Sequence, residues 1–393
     1  MKPRITFVSH QASRTGAPIA LLHMLQHMNL SEYETEHILL EGGPLLSDFS
    51  DICPTVSYST SGFVHSALKY SKKLLPKALG WQSARNYCRQ VNTVPDVFYL
   101  HSHVFDFLQT AKALHVPTIF HVHEDEISFA QVSTHVQKIF ATYPEHYIVN
   151  ASHVQDILLS MDIDPTRISV VPPGIPCDTW KRETDGVSLR EEIGIPKDAI
   201  VIGGSGEIHP RKGVDLWLQC AYAMQLLLPK QEVHFVWVGA ESPSERIYSQ
   251  LMRQDVKRLH MNDRVHFVGG KKQPKPYFEM FDFFILSSRQ EPFGLVSIEN
   301  LLLGTPVAAF DSAGGPREMQ HLDGMHVIPG LDAHAMAEYI AEWVQKNSQS
   351  LKMQINTDVI HRDYDIHRTV PQIEEVLQTI VKANSCGFRV NAG

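Results

Sequence analysis

The residues best suited to chemistry lie between Ser287 and Asn300, where Glu291 and Glu299 flank Phe293, Gly294, Leu295 and Val296. The apolar run Phe281 to Leu286 has strand length and composition, and Leu301 to Gly304 reads as a helix end. A loop therefore joins strand to helix here, with Glu291 on the loop, the amides of Gly294, Leu295 and Val296 at the helix start, and Glu299 further in. A helix start offers unpaired N–H groups and a partial positive charge, which suit a diphosphate. Gly294 lets the backbone come close. Carboxylates are poor neighbours for phosphate unless each faces a neutral, hydroxyl-bearing part of the same ligand. A ribose on one side and a hexose on the other, the layout of a nucleotide sugar, meets that condition. Read alone, the stretch is also a capped helix whose acids favour its dipole.

A second cluster follows the strand-like Ala199 to Ile202. Gly204-x-Gly206 invites a dinucleotide reading, but the fingerprint needs a glycine at 209, where His209 stands. Beyond it come Arg211, Lys212 and Gly213 before a helix at Val214 to Leu228. A lysine ending such a loop can set its ammonium on a phosphate, and Arg211 adds a second charge. Near the start, Ser13-Arg14-Thr15-Gly16-Ala17-Pro18 turns from a strand at Ile5 to Val8 into a helix at Ala17 to Met28. Proline is tolerated in a first turn, so the loop ends near Gly16, whose backbone can meet an anion. Two strand ends carry His-x-His: His101-Ser-His103 after Phe98 to Leu100, and His121-Val-His123-Glu124 after Thr118 to Phe120. With Glu124, Asp125 and Glu126 nearby, these imidazoles permit a metal that activates water, hence a hydrolase. The signal is weak in a chain of 22 histidines.

Taken jointly, the blocks resemble the GT4 family of retaining glycosyltransferases. The resemblance rests on the Glu-x7-Glu pattern of Glu291, Phe293, Gly294 and Glu299, on Arg211-Lys212-Gly213, on the Gly16 turn, on Asp311-Ser-Ala-Gly314-Gly315-Pro-Arg-Glu318, and on Val327-Ile-Pro-Gly330. They occur in the family's order and extend from Gly16 to about Tyr364. The resemblance implies an α/β protein of GT-B architecture, two Rossmann-like domains facing each other across a cleft with the donor mostly on the second. It implies transfer of a sugar from a nucleotide diphosphate, UDP- or GDP-linked, with retention and with no metal or other cofactor. The acceptor would be a glycan, a lipid-linked molecule or a small molecule. Lys212, Arg211 and the amides near Gly294 would stabilise the leaving diphosphate, where negative charge develops. Glu299 would hold the ribose and Glu291 the sugar hydroxyls. The family places one histidine near the transferred sugar, a position open to His121 or His123, of which His123 is preferred. A carboxylate nucleophile, as in retaining glycosidases, is the other chemical route; the resemblance favours same-face attack assisted by the departing phosphate. One residue departs from the pattern: Glu207 follows Gly206 where many members have arginine. A non-catalytic sugar-nucleotide sensor and a histidine-based metal hydrolase are the competing classes.

The elements that must position these residues follow from the chain's organisation. At 393 residues there is room for two domains, each with its own core. Strand-like segments at Glu36 to Leu40, Val97 to Leu100, Thr118 to Val122, His146 to Val149 and Ile168 to Val171 alternate with helical stretches, which predicts a parallel sheet covered on both faces. Ligands then gather at the carboxyl ends of the strands. Further strands are expected at His234 to Val238, Val265 to Val268, Phe281 to Leu286 and Pro306 to Phe310, and a last helix at Val370 to Lys382. Pro172-Pro173-Gly174-Ile175-Pro176 reads as a stiff linker, giving domains at 1–173 and 174–365, with 366–393 packing back on the first. Asp162-Ile-Asp164, a formal DxD, stands before Pro165 and reads as a turn.

A net charge of −8 argues against general nucleic-acid binding. The five cysteines are scattered, with no Cys-x-x-Cys pair, which fits a reducing cytoplasm. The first ten residues read as a strand rather than a secretory signal, and no apolar run approaches the roughly 20 residues that span a bilayer. The expected location is cytoplasmic, with peripheral contact at the inner face of a membrane offered by 63–89. There Lys69, Lys72, Lys73, Lys77 and Arg85 interleave with leucines in a basic amphipathic stretch that is also consistent with a solvated face.

Overall fold

The computed structural model describes residues 2–57, 87, 93–347 and 354–385. The contacts divide the chain into two compact units, Met1–Ile175 with Ile366–Gly393, and Pro176–Asp365.

In the first unit, β1 (Arg4–Gln11), β2 (Glu34–Glu41), β3 (Thr55–Ser57), β4 (Val97–His101), β5 (Thr118–Val122), β6 (His146–Val149) and β7 (Ile168–Val170) form one sheet in the order β3-β2-β1-β4-β5-β6-β7. Every pairing in it is parallel. Side chains alternate between faces with the period of two that the pleat imposes. Phe98, Leu100, Phe120 and Val149 share one core cluster with the helices Phe107–Leu114, Thr134–Thr142 and Ser152–Ser160. Phe7, Tyr99, Ile119 and Ile148 share the other with the helices Gly16–His27 and Ile366–Ser385. The last of these starts four residues before the expected Val370 and carries Pro371 inside it. Its buried Ile366, Val370, Ile373, Leu377 and Val381 recur at helical spacing, and that apolar face outweighs the proline's missing donor. The short β3 was not expected: three residues after Pro54 carry too little pattern, and pairing with His37, Ile38 and Leu39 of β2 makes them a strand.

The second unit holds β8 (Ile200–Ser205), β9 (Val233–Val238), β10 (Val265–Gly269), β11 (Phe283–Leu286), β12 (Val307–Phe310) and β13 (Met325–Ile328), again all parallel, in the order β10-β9-β8-β11-β12-β13. Ile202, Phe235, Trp237, Phe283 and Phe310 pack with Trp217 of the helix Val214–Leu227 and with Met336 and Ile340 of the helix Ala333–Lys346. In both sheets the chain winds outward in two directions from its first strand, so the order reverses between β1 and β4 and between β8 and β11. Those are the switch points at which such sheets bind ligands. Asp164 caps the turn Pro165–Arg167 through Thr166, so the formal DxD is part of a helix-to-strand turn. Among the described residues no helix is long and apolar enough to cross a membrane. The basic stretch at 63–89 lies, apart from Tyr87, outside the described residues.

A buried ion pair ties the second unit together at its first helix. Arg190 Nη2 lies 3.0 Å from Asp282 Oδ2, and that oxygen also accepts from Val201 N at 2.8 Å. Arg190 Nη1 donates to Ala199 O at 3.0 Å. Arg190→Ala removes the guanidinium that bonds Asp282, Ala199 O and Met280 O in this buried site, so we expect a loss of about 3–5 kcal/mol in urea unfolding. A loss below about 1 kcal/mol, the value of an exposed pair, would show that the site is wet.

Candidate functional site

The loops after β8 and β11 meet at the switch point of the second sheet. After β8 the chain forms a short turn at Pro210–Lys212, in which His209 Nδ1 accepts from Arg211 N at 3.0 Å, and it leaves through Gly213 at φ 63°. A Cβ at Gly213 would collide with the Ser287 carbonyl oxygen of the other loop, so both conformation and contact require glycine there. Ser287 Oγ in turn donates to Lys212 O at 2.9 Å, and Arg289 N donates to Arg211 O at 2.8 Å. Arg289 clamps the pair of loops: it donates to Pro210 O at 2.9 Å and grips both oxygens of Asp215 at 2.8 and 2.7 Å. Tyr248 donates to the same Asp215 at 2.6 Å.

This clamp delivers Lys212 to Glu291. The stem of Lys212 runs along Gly206, where an added Cβ would meet Lys212 Cγ and Cδ at 3.2 Å. Its Nζ lies 2.5 Å from Glu291 Oε2, which also accepts from Ser288 Oγ at 2.9 Å. Burial by itself would raise the Glu291 carboxyl, but Lys212, Arg211 and the hydrogen bonds from Lys212 and Ser288 outweigh it and hold the group below the usual carboxylate range. Burial lowers the Lys212 ammonium, with Glu291 opposing. The two residues that the sequence assigns to different parts of one ligand are thus each other's partner here. Arg211 Nη1 donates to Gln290 O at 3.0 Å, which places its guanidinium on the same loop.

Past Glu291 the backbone pairs with the segment after β12: Glu291 N donates to Ala313 O at 2.7 Å and Gly315 N to Glu291 O at 2.8 Å. Gly294 then caps the helix Leu295–Leu302 at φ 98°, a conformation that only glycine takes freely. No side chain caps this helix, and the amides of Gly294, Leu295 and Val296 meet no acceptor among the described residues. They point an unneutralised N-terminus into the site. The ring of Phe293 is buried against Tyr364, with centroids 5.7 Å apart. Glu299 is half-buried and makes no hydrogen bond or ion pair through its carboxylate among the described residues, and desolvation pushes it up to about 8.

In the first unit, Gly16 opens the helix Gly16–His27 on the surface, with no atom within 4 Å of where a Cβ would stand. Ser13 Oγ and Thr15 Oγ1 lie 2.8 Å apart beside it. His123 stands just past β5, close to His101 and His121, with ring centroids 4.4 Å from each. His103 is half-exposed and 3.8 Å from Glu124. Sequence reading missed Ser288, Arg289, Asp215 and Tyr248. Ser288 and Arg289 stand within three residues of Glu291, so adjacency pointed to them; nothing in the sequence pairs Arg289 with Asp215 and Tyr248.

Comparison with known proteins agrees with this architecture. Residues 188–358 match the family described as Glycosyl transferases group 1, and residues 56–179 match Glycosyltransferase Family 4. The chain belongs to the GT4-type glycosyltransferases. Among curated relatives it is similar to D-inositol 3-phosphate glycosyltransferase of Streptomyces scabiei, at 26% identity over 49% of this chain and 44% of the relative. The corresponding protein 2 of Catenulispora acidiphila is 34% identical over 37% of this chain and 35% of the relative. The chain thus spans less than half the length of these curated relatives. Among solved structures, Anabaena Alr3699/HepE in complex with UDP-glucose superposes with a TM-score of 0.79 at 19% identity, over 96% of this chain and 100% of that one. Sucrose-phosphate synthase from Thermosynechococcus elongatus gives 0.76 at 16% identity, over 97% and 100%. The fold is GT-B.

The raised Glu299 carboxyl has a signed consequence for stability. Its ordinary value is about 4.3, and in the fold it lies near 8. Between those values the folded chain binds more protons than the unfolded one, so this group's contribution is fully present below about pH 4.3 and is lost as pH rises through 8. Glu299→Gln removes that loss. We expect urea midpoints of variant and parent to agree near pH 5 and the variant to be the more stable near pH 8.5, whereas parallel pH profiles would mean that Glu299 is well solvated.

Proposed function

We propose that this chain transfers a sugar from a nucleoside-diphosphate sugar to a hydroxyl-bearing acceptor, with retention at the anomeric carbon and without a metal. The observation that carries this reading is the combination, at one switch point, of the Lys212–Glu291 pair with the unpartnered amides of Gly294, Leu295 and Val296. A diphosphate leaving group gathers negative charge as the glycosidic bond breaks, and a preorganised ammonium and a helix start stabilise charge that develops there. Lys212 is assigned to the diphosphate, Arg211 to a weaker supporting contact, and the amides after Phe293 to the same oxygens. Glu299 has an open carboxyl group for the ribose hydroxyls, and Glu291 takes the sugar hydroxyls once Lys212 turns to phosphate. In the first unit, His123 is assigned to the transferred sugar and the Gly16 turn to donor and acceptor. A uridine or guanosine diphosphate is the preferred carrier, and the complex of Anabaena Alr3699/HepE with UDP-glucose supports the uridine case. Same-face attack assisted by the departing phosphate accounts for retention with no further nucleophile.

A panel of UDP-, GDP- and ADP-sugars, incubated with the protein and EDTA, tests the reading through release of nucleoside diphosphate. Release from one donor is the expected result. Tight binding with no turnover in the presence of varied acceptors would make the chain a sensor, and absence of both would overturn the proposal. Lys212→Ala should cost about 100-fold or more in kcat/KM, the scale for a lost charge-stabilising group, and Arg211→Ala clearly less. The two glutamates should part company in calorimetry. Glu299→Gln loses a ribose contact and weakens nucleoside diphosphate binding. Glu291→Gln frees Lys212 from its partner, so it should bind the diphosphate at least as tightly while transfer falls. The reverse pattern would refute the assignment of the two roles.

A further inference from the structure

Three imidazoles of the first unit converge in a way that sugar transfer does not require. His101 is the last residue of β4 and His121 is its directly registered partner on β5. Directly paired residues of neighbouring strands present their side chains on the same face, and His123, two residues beyond His121, shares that face. Register therefore brings the three rings together, and one ring nitrogen from each lies within 4.8 Å of the others. His101 and His121 are 1% and 3% exposed. The Nε2 atoms of His101, His121 and His123 are all buried and have no hydrogen-bond partner among the described residues. Leaving even one such group unsatisfied costs on the order of 1–3 kcal/mol, and three on neighbouring rings call for a common explanation.

An outer partner holds the ring of His121. Tyr99 Oη lies 2.7 Å from His121 Nδ1 and 3.4 Å from Met24 Sδ. In the tautomer whose Nδ1–H donates to the Tyr99 hydroxyl, the Nε2 lone pair is free. This is how metal-bound histidines are held by an outer partner.

We propose that His101, His121 and His123 form a three-nitrogen site for a divalent transition metal of the zinc class, with a fourth, open position. Three nitrogens around a tetrahedral zinc stand roughly 3.3 Å apart, so the rings need to move by only about an ångström to close on the ion. Imidazole ligands with no carboxylate suit zinc, copper and nickel rather than magnesium or calcium. One consequence rests on the proposed function: a metal on His123 takes that ring away from the sugar, so zinc should inhibit a transfer reaction that proceeds in EDTA.

Cobalt(II) titration of the metal-stripped, full-length protein is the test, because it reads the site without reference to activity. The expected result is 1:1 saturation with intense visible bands of tetrahedral cobalt, displaced by zinc, and a zinc-dependent rise in melting temperature. His101→Ala and His121→Ala should abolish the bands while circular dichroism stays unchanged. Should either variant fold poorly, Tyr99→Phe decides, since it keeps all three ligands and should bind 10–100-fold more weakly. Weak octahedral spectra, unchanged bands in the well-folded histidine variants or unchanged affinity in Tyr99→Phe would overturn the proposal. So would a near-ultraviolet thiolate band, which would place the metal at the separate group of Cys177, His361 and Asp365. If the panel of donors gives no turnover, the functional reading fails, and the cobalt result still stands or falls by itself.

Discussion

A lysine ammonium and a glutamate carboxylate, 2.5 Å apart and both drawn out of water, set the terms for the second unit. Breaking such a pair by removing one partner typically costs about 3–5 kcal/mol, because the survivor is left buried and unpaired. The surrounding structure serves to make the pair stable. Gly213 lets two loops touch, Arg289 and Asp215 lock them, Gly206 makes room for the lysine stem, and Ser288 satisfies the remaining demand on Glu291. A diphosphate is well suited to compete for this lysine. It brings more charge than a carboxylate, and the open amides after Phe293 wait beside Glu291. Before a ligand arrives, Glu291 keeps Lys212 charged and in place.

Both units use the same geometric device. Each sheet winds away from its first strand in two directions, and the loops at the reversal cannot be covered by a crossover helix, which leaves backbone groups and side chains free for ligands. In the second unit that reversal brings together the loops after β8 and β11. In the first it sets the end of β1 beside the end of β4, with Ser9 registered against His101. The parallel register between β4 and β5 then does what sequence spacing alone cannot, setting His101 beside His121.

Much of this was legible in the sequence because the evidence is local. Parallel strands buried on both faces read as short apolar runs, and the glycines of tight loops mark where those runs end. The strand-to-helix loop with Gly294 at its helix start is of this kind, as are the Arg211-Lys212-Gly213 turn and the helix that follows it. What escaped was set by distant contacts. Arg289 and Asp215 are unremarkable until two loops meet. The packing of the Phe293 ring on Tyr364, 71 residues further on, is a contact of the same kind. The early start of the last helix likewise depends on the core it packs against, which overrides the local signal of Pro371. The His-x-His pairs look weak in sequence because their meaning lies in the cross-strand register.

The most direct measurement is a crystal structure of the protein with a nucleoside diphosphate bound. The account predicts that Lys212 Nζ leaves Glu291 for a phosphate oxygen, that amides of Gly294, Leu295 and Val296 donate to the diphosphate, and that Glu299 receives the ribose hydroxyls. A nucleotide bound away from the loops after β8 and β11, with Lys212 still paired to Glu291, would contradict it.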